Sequence, residues 1–358
     1  MNYEEGKKKP AVMDLHTIFR EHGLPYLPAK SLHRFKSVSS VWNFWISRHF
    51  FSHRQSYSFR TLSGFFYQDV NSETPRFLSF DRSAYGVPDP SFRFLPEPIS
   101  LKQSCNGLVC CWSPNSCTYY VCNPVTQQWR ALPKSPRNHG KDPDVVLKFE
   151  PENFNFDSDF DLICTFMSSN DEREFDIFSS KTNTWNLSKE LVMYDTRIVY
   201  GCHQLESMLL PNSGIYAKNV AYWKMRYQSN LLALDLVKER ASLVYLPYSG
   251  QIGQLHGRLY HASLYDTYLT LSVLSSPSGG WSLAAKLLLD NLVPSIRRGK
   301  REVLAVHGSD VIIHVDARLF LYSTATRSIT EVREVVGDLF HESTLRFPYI
   351  NSLVSVGN

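Results

Sequence analysis

The chain has 358 residues, 43% hydrophobic and 13% aromatic, enough for one large domain or two ordinary ones and too apolar for disorder. Its net charge of +4, from 38 basic and 34 acidic residues spread along the chain, makes no electrostatic demand for a nucleic-acid partner, and none is expected. There is no run of eighteen apolar residues and no apolar h-region in MNYEEGKKKPAVMDL, so a soluble protein of the cytoplasm or nucleus is expected, without a membrane partner.

Residues 1–10 read as a flexible leader. From Ala11 to about Phe51 the apolar residues keep a helical period: Met13, Leu15, Ile18 and Phe19, then Leu32, Phe35, Val38, Trp42, Trp45 and Ile46. Gly23, Pro25 and Pro28 separate the two groups. On a helical wheel the second group forms one apolar stripe, with Lys30, Arg34, Lys36, Ser37 and Ser40 opposite. About forty helical residues bury little by themselves, and a strand-rich remainder closes its own core. The stripe is therefore expected to be half of an intermolecular interface.

After about Phe59 the pattern changes to short apolar or alternating runs bounded by Pro, Gly, Ser, Asn and Asp, which predicts many strands and places a boundary near residues 52–60. Seven cysteines without an export signal predict free thiols. Five lie between Cys105 and Cys122, spaced C-x4-C-C-x5-C-x4-C. With no C-x2-C pair and no histidine, this misses structural zinc geometry. Buried apolar cysteines in strands are expected, with no metal and no cofactor.

The strand-rich region repeats itself. YYVCNPVTQQWRALP at 119–133 and FDIFSSKTNTWNLS at 175–188 share a strand, a polar turn, T-x-x-W and a second strand, with Trp129 and Trp185 56 residues apart. Weaker copies occur at 231–247, 269–287 and 319–332. Such a period suits four-stranded propeller blades, which cover one another's faces radially. The tryptophan after the turn is expected to fill the space between blades.

Candidate chemistry is sparse. Asp157, Asp159 and Asp161 begin like a calcium loop, but Leu162 stands where the turn needs Gly and Ser168 where a Glu is needed. The pairs His256 with His261 and His307 with His314 belong to no H-E-x-x-H motif, and no nucleophile elbow, Walker loop or dinucleotide fingerprint occurs. No catalytic residue is nominated and no enzyme is expected. RRGKR at 297–301, with Arg318 and Arg327 beyond it, lacks aromatics to stack on bases and reads as a solvated loop. Segments 133–144, 194–204 and 294–301 hold the best partner anchors. Arg137, Arg197 and Arg298 are expected to contribute to a partly basic target-binding rim that favours an acidic or phosphorylated partner.

LPAKSLHRFKSVSSVW, from Leu27 to Trp42, resembles the latter part of the F-box of plant F-box proteins. The residues from Ser104 to Pro133, SCNGLVCCW through NPVTQQWRALP, resemble the opening of the F-box-associated, kelch-like domain of the same family. The resemblance implies a mainly β fold: a kelch-like β-propeller of six to eight blades at 60–356, preceded by a small all-α F-box at 11–52. It also implies a non-catalytic substrate receptor of an SCF-type cullin ubiquitin ligase. The F-box would bind a Skp-type adaptor, and through it cullin and RING subunits, while the propeller binds a protein target. By position, Leu27, Pro28, Leu32, Phe35, Val38 and Trp42 belong to the adaptor contact or to packing inside the F-box. The front half departs from the family pattern, with Lys9-Pro10 for the first L-P pair and EHGLPY inserted. A stand-alone propeller scaffold uncoupled from the ligase is the alternative.

Overall fold

Asp14 starts the helical unit: its carboxylate accepts the Thr17 N–H at 2.8 Å and caps α1 (Leu15–His22), which stops at Gly23. A computed structural model describes residues 14–69, 74–151, 155–168, 173–188, 209–226, 229–265, 268–289, 301–316, 318–334 and 344–357. The leader, Arg197 and Arg298 lie outside the described residues. After α1 comes a 3-10 turn (Leu24–Tyr26) in which Leu24 and Pro25 are buried. Helix α2 (Ala29–Val38) ends at Ser39, whose backbone is extended and whose hydroxyl accepts the Val41 N–H at 3.2 Å, capping α3 (Ser40–Ile46). The single stripe expected over residues 32–46 is thus two helices, because Ser39 resets the helical phase.

A fourth helix, α4 (His49–Ser58), carries the helical unit past Phe51. It buries Phe51, His53, Gln55 and Ser56, a mostly polar face that leaves no apolar period to read.

Strands β1 (Leu62–Asp69) and β2 (Arg76–Ser79) follow. Four-stranded antiparallel meanders come next. The first is β3 (Ser100–Cys105), β4 (Leu108–Ser113), β5 (Thr118–Asn123) and β6 (Gln128–Ala131). Next come β7 (Asp144–Phe149), β8 (Phe160–Met167), β9 (Arg173–Ser179) and β10 (Thr184–Leu187). A third is β11 (Ile215–Ala217), β12 (Val220–Lys224), β13 (Asn230–Asp235) and β14 (Arg240–Tyr245). Then come β15 (Gln251–Leu255), β16 (Arg258–Tyr265), β17 (Tyr268–Leu274) and β18 (Trp281–Leu288). The last is β19 (Arg301–Gly308), β20 (Asp310–Val315), β21 (Arg318–Ser323) and β22 (Ser328–Glu334). The last two meanders join into one eight-stranded sheet where β15 and β19 pair in parallel at Gln254–His307 and Leu255–Gly308. Gly253 permits that approach, since a Cβ there would lie 1.8 Å from the Val306 carbonyl oxygen.

Strand β23 (Thr344–Ile350) returns to pair antiparallel with β1, giving a three-stranded sheet β2-β1-β23. The first strands of the meanders then touch in the closed order β23, β3, β7, β11, β15, β19 and back to β23. This is a β-propeller closed by a strand from the far side of the sequence.

The segment after β23 runs between the helices and the propeller. The Gln55 carboxamide donates to the Leu27 carbonyl at 3.1 Å and accepts the Leu353 N–H at 2.9 Å. The Asn123 amide donates to the Ser352 and Val354 carbonyls at 3.0 and 2.7 Å. Around this segment, Leu24, Leu32, Ile46 and Phe51 share one core with Phe66, Tyr120, Tyr349 and Leu353. The expectation that the helical unit keeps its apolar stripe free is therefore corrected: half of it is core, because the three-stranded sheet and the returning segment need cover.

Trp185 sits between neighbouring meanders, donating its Nε1–H to the Pro133 carbonyl beyond β6 at 2.7 Å, and Trp281 does the same to the Tyr245 carbonyl of β14 at 2.6 Å. Trp129 is 43% exposed; among the described residues the sheet before it, β2-β1-β23, has three strands and no fourth to meet it. Cys110, Cys111, Cys122 and Cys164 are buried free thiols in strands, and burial raises the pKa of Cys110, Cys111 and Cys164. Cys117 is instead exposed in the turn between β4 and β5 and Cys105 is half-buried, so the expectation of burial holds for three of the five clustered cysteines. Asp161 lies in β8, paired with Lys148 at 2.8 Å.

Candidate protein-interaction surfaces

The helical unit distributes its apolar residues in two directions. Leu32 is fully buried, Leu27 and Pro28 are half-buried, and the Pro28 carbonyl accepts the N–H groups of Ser31 and Leu32 in the first turn of α2. Phe35 is half-buried and stacked on Trp42 at 5.8 Å, and Trp42 also meets Phe19 of α1 edge-on at 5.7 Å. Val38, by contrast, is 72% exposed. Of the six residues nominated from the sequence, Phe35, Val38 and Trp42 thus reach the outer face, while Leu32 does not.

The same unit exposes apolar residues the helical wheel missed as contacts. Leu15 and Phe19 on α1, and Val41 and Phe44 on α3, are all more than 40% exposed. Val41 and Phe44 fall outside a stripe drawn through Leu32, Phe35 and Val38, because Ser39 breaks the helix that the stripe takes as continuous. Guanidinium groups flank these rings: Arg20 lies 4.3 Å over Trp45, and Arg48 lies 4.3 Å over Phe44. An aromatic face edged by cations suits an apolar partner surface that carries acidic residues.

The helices stand at one end of the propeller. A cavity there is lined by Tyr26, Tyr57 and Arg60 together with Asn106, Gly257 and Ser309 of the turns after first strands. The strands alternate direction, so every connection from a fourth strand to the next first strand falls at the opposite end. Segment 133–144 is one of these, linking β6 to β7. Segments 194–204 and 294–300 lie outside the described residues. Arg137 is held against Glu174 at 3.5 Å. A central cavity of about 560 Å³ opens among the first strands, lined by residues that include Ser104, Lys224, Arg226, Gly253, Val306 and Arg346.

One buried titratable network has no counterpart in the sequence reading. The Tyr119 hydroxyl meets His139 Nδ1 at 2.9 Å, His139 Nε2 meets Asp176 Oδ2 at 3.1 Å, and the Ser135 hydroxyl donates to the same oxygen at 2.6 Å. The hydroxyl rests on the carboxylate rather than on the imidazole, so the nucleophile–base contact of a hydrolytic triad is missing. Phe166 stacks on His139 at 4.7 Å and Trp185 closes its edge, so the chain ties two meanders together inside the protein. The available sequence signal was Asp176, a lone acid in the buried phase of FDIF.

Residues 94–263 match the family described as F-box protein At3g26010-like, beta-propeller. The chain is 27% identical over 276 residues to F-box protein At5g49610 of Arabidopsis thaliana, covering 70% of each. It is 28% identical over 193 residues to a second Arabidopsis thaliana protein, At1g12870, named for an F-box and kelch repeats, covering 44% of this chain and 43% of that one. Among solved structures, a protein of unknown function from Bacteroides caccae is similar with a TM-score of 0.44 and 8% identity, over 81% of this chain and 99% of that one. The family match and the two relatives support a plant F-box-type propeller protein.

Proposed function

We propose that this chain is the substrate-recognition subunit of an SCF-type cullin ubiquitin ligase. Its helical unit binds a Skp-type adaptor, which links it to cullin and RING subunits, and a six-bladed, kelch-like propeller holds the protein to be ubiquitinated. The chain binds and positions, raising the local concentration of target near the transferring enzyme, and performs no chemistry itself. A cytoplasmic or nuclear location goes with that role.

The observation that carries this reading is the exposed apolar face of a unit whose other apolar side chains already fill a core. Val38 and the outer edges of Phe35 and Trp42 contact the adaptor, joined by Val41 and Phe44. Leu27, Pro28 and Leu32 hold the helices in register. Arg137, tied to Glu174, contributes with Arg197 and Arg298 to a partly basic target-binding rim.

Co-expression with a Skp-type adaptor tests the reading. The wild-type chain should co-purify with it, and the double variant Val38→Asp, Val41→Asp should not, at an unchanged melting temperature. A wild-type chain that recovers no adaptor sinks the proposal in favour of the stand-alone scaffold. The EHGLPY insertion favours that second reading, since its turn leaves Tyr26 60% exposed beside α1.

A further inference from the structure

The central cavity is charged in one sense. Lys224, Arg226 and Arg346 line it, and among the described residues its lining includes no Asp or Glu. Glu302, outside the lining, lies 3.4 Å from one terminal nitrogen of Arg346. That leaves Arg346 Nε buried without an acceptor. Lys224 Nζ donates to the Gly250 carbonyl at 2.7 Å, a neutral partner, and its burial lowers its pKa. Deeper along the wall, the Ser104 hydroxyl is buried with no partner at all. Each of these groups is a donor, and the Arg346 Nε–H and Ser104 hydroxyl, left without acceptors in a confined, low-dielectric space, are costly unless an anion fills it.

Neighbouring cations are treated differently. In the adjoining cleft, Lys102 is ion-paired with Asp142, and Arg173 and Lys102 act on Asp144, whose carboxyl burial pushes up to about 6. Lys102 is thus matched with a carboxylate, whereas Lys224 and Arg226 of the cavity have none among the described residues. Position adds to the argument. Lys224 ends β12, Arg226 follows it, and Arg346 is near the start of β23, so all three stand at the end away from the helices. Arg226 is exposed and borders three cavities that meet there. Cations at the mouth of a channel with strand walls focus positive potential there and raise the local concentration of anions.

We propose that Lys224, Arg226 and Arg346 form an anion-binding site at the mouth of the propeller channel, which receives the phosphate or carboxylate of a side chain on the protein target. Naming a target protein as the source rests on the function proposed above; the site itself does not. A cavity of about 560 Å³ admits one such side chain with part of its backbone. Ser104 and the Arg346 Nε–H supply hydrogen bonds to the guest's oxygens beyond simple charge attraction.

The test is calorimetric titration of the full chain with inorganic phosphate and, separately, with acetate, at constant ionic strength set by chloride. Saturable phosphate binding is expected, with a dissociation constant on the order of a millimolar or tighter. Arg226→Ala and Lys224→Gln should each weaken it about tenfold or more, while Lys238→Ala, at an exposed cation of the β13–β14 turn, leaves it unchanged. Arg226 is exposed, so its variant keeps the wild-type melting temperature, which is measured on the same samples. Phosphate binding alone identifies a phosphorylated guest, and binding of both anions identifies an acidic one as well. Absence of both, or equal affinity in wild type and both mouth variants, overturns the site. Adaptor co-purification is read separately: a chain that binds adaptor but neither anion refutes only this site, and one that binds phosphate but no adaptor refutes only the ligase reading.

Discussion

The Gln55 carboxamide oxygen accepts the backbone N–H of Leu353 at 2.9 Å, tying α4 to a residue 298 positions further along the chain. The same side chain is fully buried and donates to Leu27 on the helical side, so one glutamine serves the helices, the returning segment and the propeller together. Orientation between the helical unit and the propeller is thereby set by a hydrogen-bonded joint rather than by a linker.

Replacing Gln55 with Ala leaves the buried Leu353 N–H without its acceptor, at roughly 1–3 kcal/mol, and takes the donor from the part-buried Leu27 carbonyl, at about 1 kcal/mol. Urea unfolding should show a loss of about 2–4 kcal/mol. Proteolysis should then cut first between α4 and β1. A variant as stable as wild type would mean that the joint is held elsewhere.

Leu32 and Val38 share one helix and have opposite consequences. Leu32→Ala empties a fully buried site in the core and should cost about 2–5 kcal/mol. Val38→Ala, at 72% exposure, should stay within about 0.5 kcal/mol of wild type. Denaturant midpoints of the two variants decide the matter, and equal losses would contradict the division of the helical unit described above.

Gly253→Ala drives a methyl group into the Val306 carbonyl at the parallel seam between β15 and β19. Backbone cannot rotate away as a side chain can, so the cost should reach the upper end of overpacking, about 3 kcal/mol. Hydrogen exchange should be faster in β15 and β19 than in β4 and β5. Uniform exchange across these strands would show that the seam is not a local constraint.

His261 is 1% exposed, and burial, aided by the Lys224 charge, lowers its pKa to about 4 from the usual 6.5. Between those values the unfolded chain takes up a proton that the folded chain refuses. Stability therefore falls as pH drops from 6.5 to 4, by about 3 kcal/mol for this residue. His261→Leu should flatten that part of the curve, seen as a smaller gap between unfolding free energies at pH 7 and pH 4.5. An unchanged gap would assign the acid sensitivity to other groups.

Short-range patterns were legible in the sequence for plain physical reasons. The T-x-x-W frames mark turns followed by fourth strands, because a polar turn and an apolar run are local properties, and Trp185 and Trp281 do reach the preceding meander. The cysteines read as small apolar residues because their spacing alone was wrong for zinc. Much of the helical unit was also readable from its 3.6-residue period. Its last helix was not, since α4 buries the polar His53, Gln55 and Ser56, and the Leu353 N–H that Gln55 accepts lies 298 residues away.

By itself, then, the sequence determined where chain direction reverses, which segments are strands or helices, and which residues are apolar enough to need cover. Only the tertiary structure decided what covers them. Leu32 and Val38 are equally apolar and six residues apart, and nothing local tells them apart. The return of β23 to β1 brings Phe347, Tyr349 and Leu353 into the core that Leu32 shares, and leaves Val38 in solvent. The cations of the channel mouth are scattered over more than a hundred residues of sequence for the same reason. Charge becomes a site when closure of the ring brings separate strands around one space, and closure is a property of the whole chain.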